Sequence, residues 1–309
     1  MKINKVAILG ECMVELRSKR DGLYERAFGG DTLNTAVYLS RLTKNSGITT
    51  SYFTGLGMDS FSVDMIKAWN AEGIDTTYVQ QCKYKVPGLY AITTDDNGER
   101  SFSYWRSDSA AKYWIRNVML YDLIHALAEH DLIYLSGISL AILPRDCMFK
   151  LFEALKACKK KGVTIAFDNN YRPALWDLKS TIQQAYETIM ELADIAFLTF
   201  DDEQMLYGDI DEQQSIERAE KLGVKEIVIK RGGDACYVVV DGEITEVAPE
   251  PVKNIVDTTA AGDSFSAGYL AKRLQGGSVK ESALAGHKVA GTVIQHSGAI
   301  IEQIHMPKI

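Results

Sequence analysis

Short apolar runs alternate with amphipathic stretches along most of the chain. Residues 6–9, 51–54, 132–135, 163–167, 195–198 and 226–229 are short, rich in β-forming residues and nearly continuous in apolar character. Strands buried on both faces of a parallel sheet read this way. Between them, helical patterning marks 32–42, 61–69, 145–161, 182–192 and 213–222. Such repetition predicts a three-layer α/β/α sandwich around a mostly parallel sheet, continuous over residues 1–309. Ligands in such sheets collect at the carboxyl ends of the strands. Gly10-Glu11, Gly55, Ser136-Gly137, Asp168-Asn169-Asn170, Thr199 and Lys230 all fall there.

Two stretches break the alternation. Residues 13–27 read as extended and polar around a turn near Asp21-Gly22. Residues 86–106 read as a hairpin, with β-rich flanks around Asp95-Asp96-Asn97-Gly98. Neither has a helix to cover a second face. The two are expected to pair into a small β lid over the site, spanning approximately 12–28 and 85–110.

Composition narrows the function classes. A net charge of −7 argues against a nucleic-acid binder, although a local basic pocket is compatible with it. Five scattered cysteines without Cys-x-x-Cys spacing fit a reduced, cytoplasmic protein. No stretch approaches the roughly 18 apolar residues of a membrane span, and residues 1–10 lack a signal-peptide core, so neither membrane nor secreted placement is expected. The five histidines show no metal-ligand spacing and read as structural or surface residues.

The most informative run is Asp257-Thr258-Thr259-Ala260-Ala261-Gly262-Asp263, with apolar helical spacing from Phe265 onward. Thr258 or Thr259 can cap that helix. Ala260, Ala261 and Gly262 leave their amides free to meet an anion at a helix N-terminus. Asp263 then sits beside the anion, placed to take a proton from an attacking hydroxyl, which suggests phosphoryl transfer. A capped helix packed by small residues explains the same run without chemistry. Earlier in the chain, Gly29-Gly30-Asp31 precedes Asn34 on a predicted helix. The glycines allow close backbone approach, and Asp31 and Asn34 can hydrogen-bond hydroxyls.

The 257–263 run resembles the C-terminal signature of the ribokinase-like (PfkB) sugar kinases, Asp-Thr-x-Gly-Ala-Gly-Asp, with Ala260 where the family usually has Gly. Phe28-Gly29-Gly30-Asp31-Thr32-Leu33-Asn34-Thr35-Ala36 and Thr54-Gly55-Leu56-Gly57-Met58-Asp59-Ser60-Phe61 resemble its N-terminal signature. Within the family, Tyr104-Trp105-Arg106, Leu135–Leu140 and Asp168–Trp176 resemble the bacterial 2-keto-3-deoxygluconate kinases.

The resemblance implies an ATP-dependent kinase that phosphorylates O6 of this sugar acid, with Asp263 as general base and the amides of Ala260, Ala261 and Gly262 on the transferring group. Gly30, Asp31, Asn34, Tyr90, Tyr104, Arg106 and Arg172 become substrate contacts. Two arginines converging on one pocket match a carboxylate in geometry; a kinase for a neutral ketose or pentose such as fructose or ribose is the alternative. Lys230, Gly232 and Gly233, with Thr199, resemble the nucleotide-phosphate turn, although Ala235 stands where its last Gly would fall. Glu203 resembles the acidic residue that organises Mg²⁺ indirectly, with Phe200 in place of the usual Asn and Asp201 or Asp202 as substitutes. Asp257 and Thr259 match positions that hold a monovalent cation such as K⁺. Gly55-Leu56-Gly57 lacks the third glycine of a dinucleotide fingerprint, and no P-loop occurs. Tyr24, Phe28, Phe102 and Trp105 give the lid more apolar surface than it can bury alone, so a homo-oligomer is expected.

Overall fold

A computed structural model describes residues 3–19, 22–94, 100–176 and 178–309. Its main sheet has nine strands, in the spatial order Glu243–Val247, Cys236–Val240, Glu226–Lys230, Ile195–Thr199, Thr164–Asp168, Leu132–Ser136, Lys5–Leu9, Thr49–Phe53 and Ile74–Asp75. Seven run parallel, and Cys236–Val240 and Glu243–Val247 add an antiparallel edge. The six apolar runs became six central strands because neither of their faces meets water. The antiparallel edge pair was not foreseen.

Alternation along the strands sends side chains to two cores. Ala7, Leu9, Ile133, Leu135, Ile165 and Phe167 face one side, among residues of Leu120–Ala128, Arg145–Lys160 and Lys179–Leu192. Val6, Ile8, Leu132, Tyr134 and Ala166 face the other, among residues of Asp31–Thr43, Ser60–Ala71, Ala261–Leu274 and Val279–Val293. The chain order reverses beside Lys5–Leu9, which pairs with Thr49–Phe53 on one side and Leu132–Ser136 on the other. Ligand crevices in open α/β sheets form at such a point.

The stretches that broke the alternation form a separate four-stranded sheet in the order Tyr24–Gly29, Met13–Ser18, Gly88–Thr94 and Arg100–Trp105. Its two outer pairings are antiparallel and the central one is parallel. The turn residues Asp21 and Asp95-Asp96-Asn97-Gly98 lie outside the described residues. Asp59 of the Gly-x-Gly decoy caps Ser60–Ala71 by accepting from the amides of Phe61 and Ser62, an ordinary structural role.

Candidate active site

Two cavities of about 350 and 270 Å³ lie side by side at the carboxyl ends of the central strands, with Asn170, Arg172, Thr259 and Asp263 as their common wall. The larger lies under the four-stranded sheet, between Met13, Tyr90, Phe102, Tyr104 and Arg106 on one side and Gly30, Asp31 and Asn34 on the other. The smaller extends past Thr199, Lys230, Gly232, Ala261 and Gly262 to Cys236, Phe265, His287 and Ala290.

Asp263 stands where the cavities meet, in the first turn of Ala261–Leu274. The sequence pointed to Thr258 or Thr259 as the cap of this helix, and the structure corrects that. Ala260 is the N-cap, and no side chain caps the terminus. The Thr259 hydroxyl and amide instead donate to Asp257 Oδ1, at 2.6 and 3.0 Å. The helix start is left uncapped toward the smaller cavity at Ala261 and Gly262. Ala260 itself is buried and, like Gly233, is absent from both cavity walls.

Asn34 Nδ2 donates to Asp263 Oδ2 at 2.8 Å, while Asn34 Oδ1 is buried without a hydrogen-bond partner. Asp31 accepts from the Ser136 hydroxyl and, at 2.9 Å, from Asn170 Nδ2. Asn170 holds φ at +30°, unusual for a non-glycine residue. Burial, then the charge of Asp31, pushes the Asp263 carboxyl up to about 8, against the opposing Asn34 hydrogen bond and Lys230 charge. A carboxylate with that affinity can accept a proton near neutral pH.

Lys230 Nζ donates to both oxygens of buried Asp168, at 2.9 and 2.8 Å. Ser266 and Tyr134 donate to the same carboxylate. The ammonium lies 3.4 Å from where a Cβ on Gly262 would stand, so this ion pair sits beside the helix start. Asp168 had no assigned role in the sequence, although it stands at a strand end and opens the Asp168–Trp176 run.

The two arginines are not equivalent. Arg106 Nη2 and the Ser109 hydroxyl both donate to buried Glu11, whose carboxyl is raised by burial against the opposing Arg106 charge. Arg106 Nε remains buried without a partner. Arg172 is 53% exposed, with a loose 3.7 Å contact to Asp202. The expected pair of converging guanidiniums becomes one buried and held by Glu11 and one half-exposed, its Nη1 donating to the Tyr171 carbonyl at 2.7 Å. Tyr90 stacks on Tyr104 at 5.8 Å between centroids and donates its hydroxyl to Glu15.

Two further expectations change in detail. Gly29 and Gly30 make room for protein: a Cβ on Gly29 would lie 2.3 Å from the Tyr90 hydroxyl, and one on Gly30 2.2 Å from the Glu11 carbonyl oxygen. Glu203 is buried away from both cavities, accepting from Asn169 Nδ2 at 2.9 Å and Arg218 Nη2 at 2.8 Å. Asp202, beside it on the helix Phe200–Tyr207, is the carboxylate there that borders the smaller cavity. Asp257 Oδ2 accepts from the Gly298 amide at 3.0 Å. Cys236, Phe265, His287 and Ala290 were missed, because elements distant in sequence bring them together and none carries a local signal. His287 had been read as structural or surface. It lines the smaller cavity while bonded to the Val247 carbonyl at 2.9 Å.

An uncapped helix start, a carboxylate of raised proton affinity and two adjoining cavities are the parts of a phosphoryl-transfer site. Residues 3–305 match the pfkB family carbohydrate kinase model, and the chain belongs to that family. It is 50% identical to a 2-dehydro-3-deoxygluconokinase of Dickeya dadantii (strain 3937), over 99% of this chain and 100% of that one. It is 49% identical to the Escherichia coli (strain K12) protein of the same name, over 98% and 99%. An E. coli fructokinase is 28% identical, over 86% of this chain and 83% of that one. Among solved structures, a PfkB protein from Polaromonas sp. JS666 superposes with a TM-score of 0.82 at 23% identity, over 95% of this chain and 96% of that one.

Proposed function

We propose that this chain is an ATP-dependent kinase of 2-keto-3-deoxygluconate (2-dehydro-3-deoxygluconate), transferring the γ-phosphoryl group to O6. The observation that carries the reading is the near-full-length identity to 2-dehydro-3-deoxygluconokinases, about twice that to a fructokinase. The geometry supports it, since the larger cavity ends at Asp263 and carries both Arg106 and Arg172. Those guanidiniums suit a sugar acid better than a neutral ketose.

In this reading the sugar's primary hydroxyl meets Asp263, which accepts its proton as the oxygen attacks the γ-phosphorus. The bond from that phosphorus to the bridging oxygen breaks, and ADP leaves. The amides of Ala261 and Gly262 at the helix start, which border the smaller cavity, face the charge on the transferring group, with buried Ala260 behind them. Arg172 and Arg106 Nε orient the acid, with Gly30, Asp31, Asn34, Tyr90 and Tyr104 around the sugar. Lys230, Gly232 and Thr199, on the wall of the smaller cavity, serve the nucleotide phosphates, and Gly233 continues that turn outside the wall. Magnesium would supply charge neutralisation on the nucleotide phosphates. Asp202, which borders the smaller cavity, would be the carboxylate nearest that ion, and Glu203 would support the site indirectly by holding Asn169.

A monovalent cation at Asp257 and Thr259 would sit close to the Ser297-Gly298 loop. Equal activity in potassium and in a large organic cation would remove that assignment. Exposed Tyr24 and Trp105 on the four-stranded sheet support a homo-oligomer, whereas Phe102 turns to the larger cavity. Five unpaired cysteines are consistent with a cytoplasmic location. Among the described residues, no helix is long and apolar enough to cross a membrane.

ADP production from Mg-ATP, run with 2-keto-3-deoxygluconate, gluconate, fructose and ribose at equal concentration, tests the reading. Selective turnover of 2-keto-3-deoxygluconate supports it. Preference for fructose or ribose would keep the kinase and discard the carboxylate role of the arginines.

A further inference from the structure

A chain of hydrogen bonds runs from the sugar cavity, through the four-stranded sheet, to the loop behind the helix start. The Tyr90 hydroxyl, on the cavity wall, donates to Glu15 Oε2. The other oxygen of Glu15, Oε1, accepts from Arg17 Nη2 at 2.6 Å. Arg17 Nη1 then crosses from the sheet to the C-terminal loop and donates to Ser297 Oγ at 3.1 Å. The next residue, Gly298, donates its amide to Asp257 Oδ2 at 3.0 Å, and Asp257 Oδ1 holds both the amide and hydroxyl of Thr259. Thr259 borders both cavities, immediately before the helix start.

Two glycines are shaped to this path. A Cβ on Gly29 would collide with the Tyr90 hydroxyl at 2.3 Å and approach Glu15 Oε2 at 3.2 Å. Gly298 holds φ at +93°, and a Cβ there would stand 3.1 Å from Arg17 Nη2. Glu15 is 2% exposed, and a carboxylate so buried is retained at a cost unless its partners need it. Neither Glu15 nor Arg17 borders either cavity, so direct ligand contact does not account for them.

We propose that Glu15 and Arg17 are positioning residues: they bridge Tyr90 to the Ser297-Gly298 loop and thereby hold the 257–263 turn in its anion-binding shape. The sheet that covers the sugar thus also sets the turn that meets the phosphates. Sub-ångström misplacement of such a turn weakens both the nucleotide contact and the transfer step, without removing any group that touches substrate. The inference rests on the kinase reading for its steady-state arm alone.

The test uses the full chain as Arg17→Ala, Arg17→Lys, Glu15→Gln and Ser297→Ala. ADP affinity is measured calorimetrically without sugar, and turnover is then measured with Mg-ATP and 2-keto-3-deoxygluconate. Arg17→Ala is expected to raise the ADP Kd severalfold and to lower kcat by about 10- to 100-fold, the scale of a displaced catalytic group. The sugar KM should change much less. Arg17→Lys should recover part of the loss, because an ammonium reaches one partner but lacks the fork to hold both. Glu15→Gln and Ser297→Ala should shift ADP affinity in the same direction by less.

A folded Arg17→Ala with wild-type ADP Kd overturns the proposal, as does one whose only change is a lower Tm. If Arg17→Ala does not fold, Ser297→Ala decides: a raised ADP Kd supports the link and an unchanged one refutes it. Should wild-type enzyme ignore 2-keto-3-deoxygluconate, the substrate reading fails. The calorimetric comparison still judges the positioning role.

Discussion

Asp263 gathers the site's chemistry into one side chain. It bonds Asn34, lies near Asp31, and opens a helix that no side chain caps. Asp263→Asn keeps the shape and the Asn34 contact while removing the base, and should lower kcat by about 10²–10⁴-fold. ADP affinity measured by calorimetry should change little. The raised carboxyl also predicts a pH dependence. In the free enzyme, kcat/KM should rise with pH toward about 8 as Asp263 loses its proton. The same shift acts oppositely on stability. A carboxyl raised above its ordinary value near 4 stabilises the folded state at low pH, and that contribution fades as pH climbs through about 8. Asp263→Asn, which never ionises, should therefore unfold at a higher temperature than wild type at pH 8.5. Thermal melts at pH 6 and 8.5 check the sign, and equal gain at both pH values would contradict it. Arg172 and Arg106 differ in the same concrete way. Arg172→Ala should raise the KM for the sugar acid by about tenfold or more, the worth of one charge-assisted hydrogen bond. Arg106→Ala should also lower Tm, because it strands buried Glu11.

At the scale of elements, the helix carrying Asp263 is held by close packing. Ala261–Leu274 lies against Val279–Val293 through Gly268 and Gly286. A Cβ on Gly268 would come 2.8 Å from Val289 Cγ2 and 2.9 Å from the Ala285 carbonyl oxygen. Gly268→Ala should therefore destabilise the protein by about 1–3 kcal/mol in chemical denaturation, although alanine alone favours a helix. Because the helix start moves with the helix, ADP should bind less tightly too. A stability gain, as propensity alone predicts, would show that the two helices can separate at no cost. The Gly29-Gly30 pair carries a similar lesson. Its local pattern suggested a ligand-facing turn; Gly30 does border the larger cavity, but the room both glycines leave is taken by Tyr90 and the backbone of Glu11.

For the whole molecule, two sheets divide the work. The nine-stranded sheet and the helices packed on it gather Asp31, Asn170, Lys230 and Asp263 around one crevice, and the four-stranded sheet covers the larger cavity with Tyr90, Tyr104 and Arg106. The outward apolar residues of the smaller sheet include Trp105, 61% exposed, and Tyr24, 54% exposed. Light scattering at micromolar concentration should give a dimer or larger, and Trp105→Glu should shift it toward monomer. A wild-type monomer would count against the assembly.

The parallel sheet, the covering strands and the 257–263 run were legible in the chain itself, because burial on two faces, alternation and small residues at a helix start each leave a local pattern. Asp263, Arg106 and Arg172 could be singled out by residue type and position, and the structure brings all three to the cavity walls. What the pattern could not contain was partnership. Thr259 turned to Asp257 and away from the helix start, Glu203 was taken by Arg218, and Arg106 by Glu11. The floor of the smaller cavity joined Cys236, Phe265, His287 and Ala290 from separate elements. A side chain's free valence depends on which distant groups folding brings within about 3 Å of it, and only the tertiary structure decides that.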